Sequence, residues 1–201
     1  NNRINGMDTD KLDYIVRDNY IFGLKLVIDI DKIIKNSKII DNKWCFARHI
    51  HDELLNVIFN RYRFHRILNQ ASIVKFDLSF RDIVVNSPKL YKEVCNIFKS
   101  ENINAFSKLT DDYILQNGDP NLIKKFQDRN NYILVNSGLS SKPNKNDEVV
   151  NLSINICKHS NNPMKEMFFY TKKGVLCDIN DSPLDAALPQ NEKIRYIFRK
   201  K

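Results

Sequence analysis

The first residues with chemical potential stand in the opening helix-forming stretch. Asp10, Tyr14 and either Arg17 or Asp18 fall four and then three or four residues apart, and Lys11 adjoins Asp10. At that spacing they share one side of an α-helix. A carboxylate, an ammonium, a phenol and a second carboxylate near a helix N-terminus can bind a metal ion and a phosphorylated sugar. The same residues also make an ordinary solvated first turn, so spacing leaves both readings open. A second group crowds one later helix: Arg61, Arg63, His65 and Arg66, with Arg61 and His65 one turn apart. Guanidinium forks match phosphate oxygens, and imidazole can donate to them or act on a leaving group. A basic surface paired with Asp or Glu is the plainer alternative.

Helices must position both groups, and the sequence supplies them. Asp8 is a good N-cap after the breaker Asn5-Gly6, Leu12, Ile15, Val16 and Asn19 form an apolar-leaning face, and Gly23 ends the segment. A short helix follows at 29 to 36. A hairpin then turns at Asp41-Asn42-Lys43, between Lys38-Ile39-Ile40 and Trp44 to Ala47. Residues 50 to 69 form the longest periodic helix, with Leu54, Leu55, Ile58, Phe59, Tyr62 and Ile67 on its buried face. Further helices are expected over 72 to 100, broken at Ser87-Pro88, and near 105 to 116 and 120 to 129, the last opened by Asp119-Pro120.

After Tyr132 to Val135 the character changes. Residues 137 to 148 are polar and breaker-rich, a flexible loop. Strand patterns follow: Val149 to Cys157, Met167 to Lys172 paired with Val175 to Ile179, and Ile194 to Phe198, with a short helix near 183 to 188. The expected fold is mainly α over 1–136, then a loop at 137–148, then a small antiparallel α+β lobe over 149–201. The lobe's aromatics, Phe168, Phe169, Tyr170, Tyr196 and Phe198, are expected to fill its own core, with an oligomer interface as the alternative.

Composition narrows the classes. With 201 residues, 42% hydrophobic and 28% charged, this is an ordinary globular chain. No apolar run approaches the roughly 20 residues that span a bilayer, so no membrane association is expected. The four cysteines, Cys45, Cys95, Cys157 and Cys177, lack metal-knuckle or redox spacing, which favours reduced thiols and an intracellular setting. A net charge of +8 suits polyanions, whether nucleotides, nucleic acid or anionic membranes, without choosing among them, and the basic tail Arg195, Arg199, Lys200, Lys201 adds to it.

The stretch from Asn5 to Asp18, NGMDTDKLDYIVRD, resembles the segment around the last metal-binding aspartate of the HD-superfamily deoxynucleoside triphosphate triphosphohydrolases, especially the eukaryotic enzymes that combine a sterile-alpha-motif with an HD domain. The resemblance continues through Phe46-Ala47-Arg48, Phe59 to Gln70, Lys108 to Asp112, Asp119-Pro120, Asp128-Arg129-Asn130 and Phe168-Phe169-Tyr170 to the C-terminus. Those enzymes cleave a dNTP to a deoxynucleoside and triphosphate at a metal site of His, His-Asp and a distant Asp, and they assemble as oligomers. The resemblance implies a C-terminal part of an HD-domain helical fold. Asp10 becomes the distant metal ligand, Lys11 a phosphate contact, Tyr14 and Asp18 the deoxyribose contacts, and Arg61 and His65 the phosphate side, with His65 the catalytic candidate.

The chain departs from that pattern in two places. It opens on Asn1 without the upstream His and His-Asp ligands, so the divalent ion is expected in a longer protein and not in this fragment, which should be inactive by itself. His51-Asp52 falls after Asp10, in the wrong order, and reads as a helix start. Asn69 and Ala71 replace a Tyr and a His of the relatives, which puts base recognition in question. The alternative is a catalytically degenerate scaffold or nucleic-acid-binding domain of the same fold.

Overall fold

The computed structural model describes residues 7–25, 28–154, 163–177 and 191–201. The chain is mainly helical, with two small, antiparallel-rich sheets, as its periodicities suggest. It divides into two compact units, residues 1–67 with 153–193, and residues 68–152 with 194–201.

In the first unit, α1 (Thr9–Ile21) starts where Asp8 accepts a 2.8 Å hydrogen bond from the Lys11 backbone amide. It stops at Gly23 (φ 67°), where the Leu24 and Gly23 amides donate to the Asn19 and Tyr20 carbonyls, a Schellman arrangement. Its buried stripe is Leu12, Ile15 and Asn19. Val16 stays on the exposed side, and the Asn19 side chain donates to the Ile15 carbonyl, which satisfies the buried amide. Next come α2 (Ile30–Lys35), capped by Asp29, and the hairpin β1 (Ser37–Ile40) and β2 (Lys43–Ala47). Asp41 and Asn42, at φ 48° and 58°, supply the left-handed pair of a tight turn.

The helix α3 (His51–Leu68) buries Leu54, Leu55, Val57, Ile58 and Phe64. The expected face is therefore corrected: Val57 and Phe64 are inside, while Phe59, Tyr62 and Ile67 are half-buried. Phe64 is held by an edge contact with Phe22, ring centroids 5.2 Å apart.

The strands after residue 149 divide between the two small sheets. β5 (Phe168–Tyr170) pairs parallel with β2, in the register Cys45↔Phe168, Phe46↔Phe169 and Ala47↔Tyr170, and β6 (Leu176–Cys177) continues that sheet in the order β1-β2-β5-β6. The cause is the wholly apolar run Cys45-Phe46-Ala47, all buried, which needs a covered edge and face. Phe46 sits between Trp44 and Phe169, at 4.9 and 6.5 Å between centroids.

The second unit holds α4 (Ala71–Val85), α5 (Pro88–Ser100), α6 (Ile103–Phe106), α7 (Asp111–Asn117) and α8 (Pro120–Gln127). Pro88 and Pro120 both stand at the helical start, where a missing amide costs nothing. A three-stranded sheet, ordered β3-β7-β4, joins β3 (Tyr132–Ser137), β7 (Glu192–Lys200) and β4 (Asp147–Ile154). Val74, Leu78, Tyr132 and Phe198 make its core. The aromatics expected in one core are thus split, Phe169 in the first unit and Phe198 in the second. β3 covers the stretch after which the sequence changes character, and the flexible loop narrows to the connector between Ser137 and Asp147. The expected helix at 183 to 188, Cys157 and Ile179 lie outside the described residues.

Beneath this core runs a polar network. Asp82, almost fully buried on α4, accepts from the Tyr132 hydroxyl at 2.8 Å, Lys200 Nζ at 2.6 Å and Arg81 at 3.3 Å. Burial alone would raise the Asp82 carboxyl, but Lys200, Tyr132 and Arg81 outweigh it and hold it below the usual carboxylate range. The Tyr132 hydroxyl moves the other way, raised by burial and by the adjacent carboxylate.

Candidate functional site

Because Leu12, Ile15 and Asn19 face inward, Lys11, Tyr14 and Asp18 form the half-buried ridge beside them, at i, i+3 and i+7. Asp10 is exposed in the first turn, one helical turn before Tyr14. Where Tyr14 points, α3 supplies Arg61: its Nε donates to the Tyr14 hydroxyl at 3.0 Å, 47 residues along the chain. His65 follows Arg61 by one turn and is half-buried, its Nε2 shielded from solvent. Burial and then the Arg61 cation lower its pKa, so the imidazole is neutral at neutral pH.

Two helices thus bring together a phenol, a guanidinium and a neutral imidazole. Asp18 takes a 3.3 Å bond from Arg17, which also reaches Asp13 at 2.6 Å on the exposed side. Among the described residues, no three His, Cys, Asp or Glu side chains gather as a metal-binding group. Asp10 offers one hard carboxylate, less than the ligand set a divalent ion needs. His51 opens α3 and its Nδ1 lies 3.1 Å from Asp52, with the ring against Phe169. The dipeptide is a helix start.

Other parts of the basic pattern are tied to partners. Arg66 bonds Glu192 at 3.0 Å, and Tyr62 donates to the same carboxylate at 2.8 Å. In the tail, Arg199 pairs with Asp147, Lys200 with Asp82, and Arg195 with Asn151. These bonds leave less of the tail's positive charge for an external polyanion. Asn69, at the α3–α4 junction, accepts from the Tyr196 hydroxyl through its carbonyl, and Ala71 packs on the second unit's core. A basic cleft of about 590 Å³ in the first unit, lined by Asn36, Arg48, His49, Tyr170 and Lys172, went unread in the sequence. Apart from Asn36, the C-cap of α2, these residues come from the ends of β2 and β5, which the pairing of those strands brings together.

No known protein-family profile matches the chain. A stretch of 75 residues is 35% identical to the "Deoxynucleoside triphosphate triphosphohydrolase SAMHD1 homolog" of Dictyostelium discoideum, covering 37% of this chain and 14% of that protein. The chain is therefore similar, over that stretch, to an HD-type deoxynucleoside triphosphate triphosphohydrolase, and the match spans a small part of the relative's length. A crystal structure of a hypothetical protein from Aquifex aeolicus superposes with a TM-score of 0.68 at 17% identity, over 96% of this chain and 54% of that one. At that identity the likeness concerns the fold.

Proposed function

We propose that this chain forms one wall of the nucleotide site of an HD-superfamily deoxynucleoside triphosphate phosphohydrolase. The observation that carries the reading is the Arg61–Tyr14 hydrogen bond, which joins the two groups picked out for chemistry. The partial similarity to a triphosphohydrolase homolog supports it. In this reading Lys11 and Arg61 meet the phosphates, whose oxygens suit a point charge and a planar fork. Tyr14 and Asp18 grip the deoxyribose, Asp18 accepting from the 3′-hydroxyl, while the phenol, pinned by Arg61, crowds the position of a 2′-hydroxyl. His65, neutral by burial, can donate or accept a proton on the phosphate side.

A divalent ion, when bound, neutralises phosphate charge, and Asp10 is the residue here that suits it. Binding and orienting the nucleotide are the roles assigned to the paired helices, through the Arg61–Tyr14 contact. Titration calorimetry with dNTPs and the matching ribonucleotides tests the assignment. Arg61→Ala removes a charge-assisted contact of about 1.5–3 kcal/mol, a loss of roughly 10- to 100-fold in affinity. Tyr14→Ala should narrow the preference for deoxyribose. Unchanged affinity in Arg61→Ala, or equal binding of both sugars by the unaltered chain, refutes the reading. In the longer protein, triphosphate release retained after Asp10→Ala refutes the metal role.

A further inference from the structure

The second unit carries a groove whose chemistry contrasts with the +8 charge of the chain. It encloses about 580 Å³, within the range of small-molecule sites, and its walls are Phe76, Asp77, Phe80 and Arg81 of α4, Asp111 of α7 and Phe126 of α8. The three rings meet edge to face: Phe126 lies 5.6 Å from Phe76 and 5.9 Å from Phe80 between centroids. All three are half-buried, so their remaining surface lines the groove rather than a closed core. One of them already holds a cation, since the Arg129 guanidinium stands 5.4 Å from the Phe76 centroid.

The acids are what set this groove apart. The side chains of Asp77 and Asp111 make no hydrogen bond or ion pair with any described residue. The cation in the same wall, Arg81, turns its guanidinium to other acids, at 3.3 Å to Asp82 and 3.1 Å to Glu148. Partial burial lifts the Asp77 carboxyl above its ordinary range, with no cation to offset it. Two uncompensated carboxylates, from two different helices, therefore share an aromatic and aliphatic cavity that Leu115 extends. A methylene chain suits the rings, and an ammonium at each end suits the acids.

We propose that this groove binds an aliphatic polyamine, its methylenes against Phe80 and Phe126 and its ammonium groups at Asp77 and Asp111. The proposal is independent of the nucleotide reading, which concerns the first unit. A lysine side chain shares the chemistry but offers one ammonium for two carboxylates.

Calorimetric titration of the 201-residue chain with spermidine at low salt tests it, with N-acetyl-lysine methylamide as the single-ammonium comparison. Saturable spermidine binding is expected, tighter than the lysine derivative. Asp77→Asn and Asp111→Asn should each weaken it by about two- to fivefold, the range of a partly exposed ion pair, and the double variant by more than either. Both positions are exposed, so thermal unfolding should stay unchanged and show that the fold is kept. Phe126→Leu should weaken binding while keeping an apolar wall. Absence of saturation up to millimolar spermidine overturns the proposal. So does equal affinity in the double Asn variant, or a lysine derivative that binds as tightly as spermidine.

Discussion

Replacing Asp82 by Ala removes the acceptor shared by Tyr132, Lys200 and Arg81. The three donors are not equivalent. Tyr132 is 1% exposed, so its hydroxyl loses its acceptor where water cannot replace it. A bond from a neutral donor to a buried carboxylate contributes about 1.5–3 kcal/mol. Lys200 and Arg81 are each about half exposed, at 52% and 46%, and can return to water, so their share is about 0.5 kcal/mol apiece. The expected loss is about 3 kcal/mol, at the low end for opening a buried pair. With a urea m-value of about 2 kcal/mol/M, the midpoint should fall by roughly 1.5 M at unchanged m. Combining Asp82→Ala with Tyr132→Phe should cost less than the two changes added, because both act on one bond. The folded carboxyl titrates below its unfolded value of about 3.9, so its contribution is full above that pH and is lost as pH falls through the lowered value. The variant should therefore lose less stability on acidification than the unaltered chain. A midpoint shift under about 0.5 M, or additive losses in the double variant, refutes this account.

Gly118→Ala should lower stability by about 1–2 kcal/mol, since the new Cβ falls 2.4 Å from Cγ2 of the buried Ile83; differential scanning calorimetry reads this as a fall of several degrees in Tm. Phe46→Ala should cost about 3–5 kcal/mol in denaturant titrations, and the emission of Trp44, the sole tryptophan, should shift to the red as its neighbour is lost. Alkylation followed by peptide mass spectrometry should find Cys45 slower than Cys95 and Cys177. Burial both hides its thiol and raises its pKa, whereas the other two are half-exposed.

Local chemistry was readable from the sequence. Asp8 as a cap, Gly23 as a stop, the Asp41-Asn42 turn and the prolines at 88 and 120 each fix a boundary through one or two residues. Long-range pairing was not, because no local rule joins Cys45-Phe46-Ala47 to Phe168-Phe169-Tyr170. β3 hid for a related reason: only Tyr132 of its residues is buried, so it lacks the in–out alternation of a half-buried strand. The burial of Asp82 was equally silent, since its partners Tyr132 and Lys200 lie 50 and 118 residues away. For the candidate site, the residue types and helical spacings were legible. The Tyr14–Arg61 bond needed the packing of α1 on α3, which periodicity on each helix does not specify.

The parallel partnership of β2 with β5 also shapes how the chain is born. The Tyr170 hydroxyl donates to the Asn36 carbonyl, 134 residues earlier, so this seam closes only after its second half has been synthesised. At ribosomal speed that interval is roughly ten seconds, during which the hairpin waits with an unzipped rim bearing Phe46. Nascent chains halted inside that window are therefore the ones a chaperone should hold longest, and release should coincide with the emergence of Phe169.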